Sequence, residues 1–386
     1  AFFRNDEIII LNKTKSDVIE KPTVLKCPSI CSSPETTNGN KNNKKSESKQ
    51  IHILSADISS CGNLLVICDN NYRVNLWKNE NITWDIVNTR HSARKCQKVI
   101  FSNLLSDIIL ADRGGDVFKF SSSELNSDGE FILGHISFIT DICISSDDKY
   151  LATCDRDGKI RISNYPNCYN IHSYCLGHAM FISSGFFLKH YTLVSGSGDG
   201  SLRLWELDGV EKECENLCQN ITFDDGDNKC ETFSFIEDSV RDDLSKESLQ
   251  CSIQCCRIDV RRNLLVVVFH FLKGIALYKI SDCKFQFKQF MNLSYRVKEV
   301  LFLENNNLLI VSKDVPITFC EFKFDDETDC YMLCSKSEVS EFTKEVQKFY
   351  NGFENVLNFV EDEHMLFKKN YDNDDQDEHK SKKNKI

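Results

Sequence analysis

Nine residues recur four times along this chain at an almost constant interval. The segments starting at Asp69, Asp112, Asp155 and Ser197 align without gaps, and their starts are 43, 43 and 42 residues apart. Each opens on a turn-forming quartet: Asp69-Asn-Asn-Tyr72, Asp112-Arg-Gly-Gly115, Asp155-Arg-Asp-Gly158 and Ser197-Gly-Asp-Gly200. Each then alternates apolar and polar residues, the period of a half-buried strand. An apolar run precedes every turn, as in Leu64-Leu-Val-Ile67 and Tyr150-Leu-Ala152, and a further strand-like run lies before that, as in Ile139 to Ile144. Gly134-His135 and Gly177-His178 open two of the units, again 43 residues apart. A unit of this size is one small sheet that cannot bury both faces alone, so successive copies must stack side by side.

A period of about 40–45 residues, several strands per unit, a Gly-His opening and a closing Trp (Trp77, Trp205) describe a WD-repeat β-propeller. Weaker copies continue through residues 253–280 and 293–324, which makes six units. The strands at residues 7–11 and 331–334 are expected to build a seventh between them, joining the chain ends and removing exposed sheet edges. The expected fold is therefore all-β, a seven-bladed WD-repeat propeller over residues 1–335. Residues 21–50, rich in Ser, Asn and Lys, and the acidic residues 208–248 read as disordered insertions. Phe342, Val346, Phe349, Tyr350, Phe353, Val356, Leu357 and Val360 recur at helical steps, so residues 336–367 are expected to form a helical extension. Its apolar stripe packs on the propeller side or occupies a groove on a partner. A charged disordered tail, 368–386, follows, and its basic cluster at 380–385 suggests nuclear import, with cytoplasm as a further compartment.

Composition narrows the function classes. With 47 basic and 58 acidic residues the formal charge is −11, which argues against a free-standing nucleic-acid binder, because phosphate neutralisation drives that affinity. The 19 cysteines fall largely at apolar positions such as Cys68, Cys143, Cys154 and Cys175, where a thiol acts as a small hydrophobe, and they imply a reducing compartment. The chain has no run of eighteen apolar residues that would cross a membrane. It opens without a basic-apolar leader, so secretion is not expected. Because it starts at Ala1 rather than Met, the sequence is expected to be a fragment.

The sequence offers no coherent active site. Ser195-Gly-Ser-Gly-Asp-Gly200 has the glycines of a phosphate loop but lies between two strands, with no helix after it to receive an anion. It reads as a turn that tolerates positive φ. Cys251, Cys255 and Cys256 lack the spacing of paired zinc ligands, and alternation sends Cys255 and Cys256 to opposite faces, so no metal is expected. His135 and His178 read as buried structural histidines that bond to a turn Asp and to strand Ser and Trp. His178, Ser195, Asp199 and Trp205 form the most complete set, and Trp77 is a further structural residue. What remains is a rim. Arg113, Arg156, Asp157, Lys159 and Arg161 gather in the turns of adjacent units, and rigidly held loops are where binding residues concentrate. Arg203, at the place matching Arg161, leaves open the plainer reading that a basic residue is an ordinary feature of the closing strand.

These residues carry a family resemblance. The run from Leu133 to Ile162, and within it Asp155-Arg-Asp-Gly-Lys-Ile-Arg161, resembles the WD-repeat non-catalytic subunit of tRNA (guanine-N7)-methyltransferase. Ser173-Tyr-Cys-Leu-Gly-His178, Ser195 to Trp205 and Ala111-Asp-Arg-Gly-Gly-Asp-Val117 continue it. The similarity is clear over residues 51–207 and collinear to about 366. Long Asn/Lys-rich insertions place the chain nearest the insect branch, Wuho. The resemblance implies a scaffold without methyl-transfer chemistry. In this reading a separate catalytic subunit, bound as a heterodimer, holds S-adenosylmethionine and most of the tRNA, the pair forms N7-methylguanosine in the tRNA variable loop, and this chain has no cofactor of its own. Carried over residue by residue, the partner contacts are Arg161 first, then Lys159 and Arg156, with Asp157 as an acceptor and Arg113 in second rank. Gly158 departs from a larger polar residue and is expected to loosen the turn. The rival reading is a general WD-repeat adaptor for chromatin or ubiquitin-ligase partners.

Overall fold

A computed structural model describes residues 2–4, 7–10, 23–27, 51–80, 83–221, 248, 250–303, 305–313, 318–335, 339–340, 343–344 and 346–347. Among them the repeat is realised as six four-stranded antiparallel sheets spanning residues 53–91, 96–134, 139–176, 182–216, 253–292 and 297–333. In every one the strands pair in chain order. A three-stranded sheet is formed by Phe2–Arg4, Glu7–Ile10 and Thr23–Lys26. The architecture is all-β and consistent with a WD40 propeller.

Alternation along the second and third strands of each unit sends apolar residues to both faces, and both are buried. In Leu264–Phe269 every residue is buried. Leu265 and Val267 join a cluster with Val194, Leu202 and Leu204 of the fourth sheet, whereas Leu264, Val266 and Val268 join one with Val300, Leu308 and Ile310 of the sixth. Cys256 belongs to the first of these clusters and Cys255 packs against the second, on opposite faces of their strand as alternation predicts.

The first strand of each four-stranded sheet carries the same irregularity. The register shifts between Ile53 and Ser55, Cys96 and Lys98, Ile139 and Asp141, Ile182 and Ser184, Ile253 and Cys255, and Val297 and Glu299. A bulge bends its strand and disrupts the ladder locally. Several of the side chains after it reach the next sheet. Ser55 Oγ accepts from Val99 N–H at 3.0 Å, an Asp141 oxygen from Gly185 N–H at 3.0 Å, and Ser184 Oγ from Cys256 N–H at 2.9 Å.

Three boundaries differ from expectation. Residues 331–334 do not join the N-terminal strands. Cys330–Leu333 pairs with Phe319–Asp325 and completes the sixth sheet, because Tyr331 is buried in that sheet's apolar cluster with its ring 5.0 Å from Phe324. Residues 23–26, placed in the first insertion, are a strand, and Leu25 and Cys27 are buried with Trp77 and Trp84 of the first four-stranded sheet. The second insertion starts later than residue 208, since Glu211–Asn216 is the outer strand of the fourth sheet. Its acidic sequence hides it, because an outer strand facing water needs little apolar alternation. Residues 28–50 and 222–247 lie outside the described residues, as do most of 336–367 and all of 368–386.

Of the expected C-terminal extension, Val339, Ser340, Thr343, Lys344, Val346 and Gln347 are described. Their docking centres on the buried Glu321. Its carboxylate accepts from Asn307 Nδ2 at 2.6 Å, Ser340 N–H at 2.9 Å and Thr343 Oγ1 at 2.7 Å. Burial works to raise the Glu321 pKa, and these donors outweigh it and hold it below the usual value.

Inter-sheet burial makes a direct prediction. Ile162→Ala empties a fully buried site between the third and fourth sheets and is expected to cost about 2–5 kcal/mol of stability in chemical denaturation. Lys159→Ala, on an exposed position of the same strand, is expected to stay within about 0.5 kcal/mol.

Candidate partner-binding rim

The turns that carry the candidate residues share one construction. In Asp155-Arg-Asp-Gly158 the Asp155 carboxylate accepts from the N–H groups of Asp157 at 3.0 Å and Lys159 at 2.9 Å. Asp112 does the same for Gly114 and Asp116, and Asp69 for Asn71 and Arg73. The fourth residue of each quartet, Tyr72, Gly115, Gly158 or Gly200, has a positive φ. Gly158 is therefore no loosening of the turn. A Cβ there would lie 2.6 Å from the His178 carbonyl oxygen at φ +78°, so the close approach of two backbones requires glycine.

Under these turns lies the buried hydrogen-bond chain. Trp205 Nε1–H donates to Ser195 Oγ at 2.8 Å, the Ser195 hydroxyl faces His178 Nε2 at 2.8 Å, and His178 Nδ1 faces Asp199 at 3.1 Å. One assignment of protons satisfies every link. The indole donates to the hydroxyl, the hydroxyl to Nε2, and Nδ1–H to the carboxylate. Asp199 also accepts from Ala179 N–H and from the Ser201 hydroxyl and N–H. Burial works to raise the Asp199 pKa, and the bonds from His178, Ser201 and Ala179 overcome it and hold the carboxyl far below the ordinary range. In the preceding unit His135 meets Asp155 at 3.2 Å and Thr153 Oγ1 at 2.7 Å, with Ser163 in the place of the Trp. Trp77 is buried, but it sits in the cluster that holds the N-terminal sheet.

The five rim residues are not equally available. Arg161 is 8% exposed. It donates through Nε to Ser163 Oγ at 2.9 Å, through one Nη to the Gly134 carbonyl at 3.3 Å and through the other to the Cys168 carbonyl at 2.7 Å. The expected first contact thus ties the third sheet to the second, because position 161 points into the space between them. Arg156 keeps its side chain largely covered, with Nε 3.9 Å from the exposed Asp157, and Arg113 at the matching turn position is half-buried. Lys159 is exposed and makes no ion pair among the described residues. It is the cation the rim offers outward. Arg203 shows the plainer fate of this position, paired with Glu211 beside the Trp205 ring.

Among the described residues no group of three His, Cys, Asp or Glu side chains is placed to hold a metal. A charged lining that the sequence does not announce lies among the first strands of the first five four-stranded sheets. There a cavity of about 430 Å³ is lined by Asp57, Lys98, Asp141, Ser184 and Arg257. Lys98 pairs with Asp141 at 2.9 Å, and Arg257 with Glu299 at 2.7 Å. The available signal was the polar residues that follow the bulges, Lys98, Asp141 and Ser184 directly and Asp57 and Arg257 two positions further on, in otherwise largely apolar strands.

The family described as the tRNA methyltransferase TRM82 WD40 domain matches residues 119–322, more than half of the chain. The chain belongs to that family. Relatives bear the name tRNA (guanine-N(7)-)-methyltransferase non-catalytic subunit. The one called wdr4 in Xenopus laevis is 32% identical over 246 residues, 63% of this chain and 58% of the relative. Its namesake in Danio rerio is 39% identical over 155 residues, 40% of this chain and 37% of the relative. The one called wuho in Drosophila yakuba is 41% identical over 120 residues, 31% of this chain and 28% of the relative. The matched part of the chain therefore spans less than two thirds of each of these relatives.

The Asp199 network contributes to the pH response. A carboxyl whose pKa is depressed by folding adds stability that is complete above its unfolded value, about 3.9. That stability is lost as pH falls through the lower folded value. Unfolding midpoints in urea are expected to drop on acidification below about pH 4, less steeply in Asp199→Asn. At neutral pH Asp199→Ala, which strands the donors of His178, Ala179 and Ser201, should cost roughly 3 kcal/mol.

Proposed function

We propose that this chain is the non-catalytic scaffold of a tRNA (guanine-N7)-methyltransferase, binding and stabilising a separate catalytic subunit as a heterodimer. The names of its relatives and its family membership support the class. The observation that carries the site is the exposed Lys159 on a turn held by Asp155, by Gly158 and, beneath them, by His135. Such a turn meets an acidic group on the partner with little ordering to do. Lys159 leads the contact, Asp157 offers an acceptor, and Arg161 positions the strand. Arg156 and Arg113 stand behind them.

The catalytic subunit holds S-adenosylmethionine and most of the tRNA, and this chain carries no cofactor. The N-terminal three-stranded sheet is the seventh blade, joined to the first four-stranded sheet through Leu25 and Cys27. Ser340 starts the C-terminal helix, since its Oγ accepts from Thr343 N–H at 3.3 Å, the geometry of a helix cap. The chain sits in the insect branch, supported by its similarity to wuho proteins, and it works in the nucleus.

The test is co-expression with the catalytic subunit, followed by a tRNA methylation assay with each protein omitted in turn. Activity is expected only from the pair. Lys159→Glu is expected to weaken the complex by at least about tenfold, the scale of one well-placed charge contact, with an unchanged unfolding midpoint. Wild-type affinity in that variant would remove Lys159 from the interface. Arg161→Glu is the poorer probe, because it sets a carboxylate against the carbonyls of Gly134 and Cys168 and is expected to lower stability as well.

A further inference from the structure

We infer that the interface for the catalytic subunit has an apolar half, formed by Ile136, Tyr174 and Leu176 around Lys159. This rests on the reading of the chain as that subunit's scaffold. Cross-strand pairing places the residues. Leu176 lies opposite Lys159, and Tyr174 opposite Arg161, in the pairing of Lys159–Asn164 with Ile171–Leu176. Directly opposed residues project from one face of a sheet, so Lys159, Arg161, Tyr174 and Leu176 share a side. It is the side that faces the second sheet, because Arg161 reaches the Gly134 carbonyl there. Two residues after Gly134 comes Ile136, in the short connection to the third sheet.

Exposure separates these apolar residues from ordinary surface ones. Ile136 is 97% exposed, Leu176 62% and Tyr174 43%. A lone exposed apolar side chain needs no explanation, but Tyr174 and Leu176 on the face that carries Lys159, with Ile136 next to the His135 that holds the Asp155 turn, have the composition of an interface core with a charged rim. Their backbone is also fixed. His135, the neighbour of Ile136, is held by Asp155 and Thr153, and the Cys175 side chain, between Tyr174 and Leu176, is buried under the same strand. Anchors held in this way lose little freedom on binding. The occupant that fits is an acidic group flanked by an apolar or aromatic surface, and continuity with Lys159 assigns it to the catalytic subunit.

The experiment measures affinity of the purified chain for the catalytic subunit at about 0.05 M and about 0.5 M salt, which brackets weak and strong screening. Wild type, Lys159→Glu and the double variant Ile136→Ser, Leu176→Ser are compared, with Tyr174→Ser as an independent probe. The double variant is expected to lose at least about tenfold in affinity, by a similar factor at both salts, as for lost apolar contact. The loss in Lys159→Glu should shrink at high salt. Wild-type affinity in both the double variant and Tyr174→Ser, with Lys159→Glu still impaired, would overturn the apolar half and leave the scaffold reading standing. No association of the wild-type pair would remove the scaffold reading itself, and this inference with it. Self-association of the isolated chain that the double substitution abolishes would make the patch a contact between copies and overturn the assignment.

Discussion

Among the described residues every apolar cluster is shared between two neighbouring sheets. Leu25 and Cys27 pack with Ile67 and Trp77, Val66 and Leu76 with Val99 and Leu110, Ala111 and Leu133 with Ile139 and Leu151, and the series continues to Val268 against Ile310. No sheet owns a core. The first five four-stranded sheets are each covered by such clusters on both faces, and this is why Leu264–Phe269 is buried along its whole length. The constraint also decides where chemistry can sit. Strand interiors are committed to packing, so polar function is left to the turns, the outer strands and the inner lining.

The same constraint explains how one residue type has two fates. Arg161 and Arg203 occupy matching places in successive repeats. In the fourth sheet Trp205 lies two residues on and takes the Ser195 hydroxyl, so Arg203 stands beside the indole and pairs with Glu211. In the third sheet Ser163 replaces the Trp. Its hydroxyl accepts from Arg161 Nε, and the guanidinium swings inward to Gly134 and Cys168. Giving up the indole therefore creates a guanidinium strut between the second and third sheets. A charged group buried in this way is worthwhile only when its donors find partners, and three of them do.

What could be read in the sequence follows from locality. The repeat, its turns and the His178–Ser195–Asp199–Trp205 set are patterns within a few dozen residues, and the chain displays them directly. Outer strands were harder. Glu211–Asn216 and Cys330–Leu333 face water on one side, so their alternation is faint and their sheet is decided by pairing across a turn. The availability of the rim residues was hardest, because nothing near Arg161 in sequence announces that the carbonyl of Gly134 lies beside it. The placing of Leu176 beside Lys159 was hidden for a related reason, because strand pairing rather than sequence proximity sets the two opposite each other.

Net charge is a poor guide to what a partner meets on such a molecule. At physiological salt a charge is felt over about 8 Å, so the −11 of the whole chain does not cancel a lysine standing clear on a fixed turn. Local order matters more. The N–H groups of the Asp155 turn are held by its carboxylate, and that carboxylate is fixed in turn by His135, whose other ring nitrogen meets Thr153. Rigidity at the rim is thus inherited from the buried polar chain, and that chain exists because the sheets around it are dry. In the proposed scaffold role, this inherited rigidity is what a partner would receive. Displacing a reacting group by about 1 Å costs on the order of a hundredfold in rate, and a rim that cannot yield is a means of preventing that displacement.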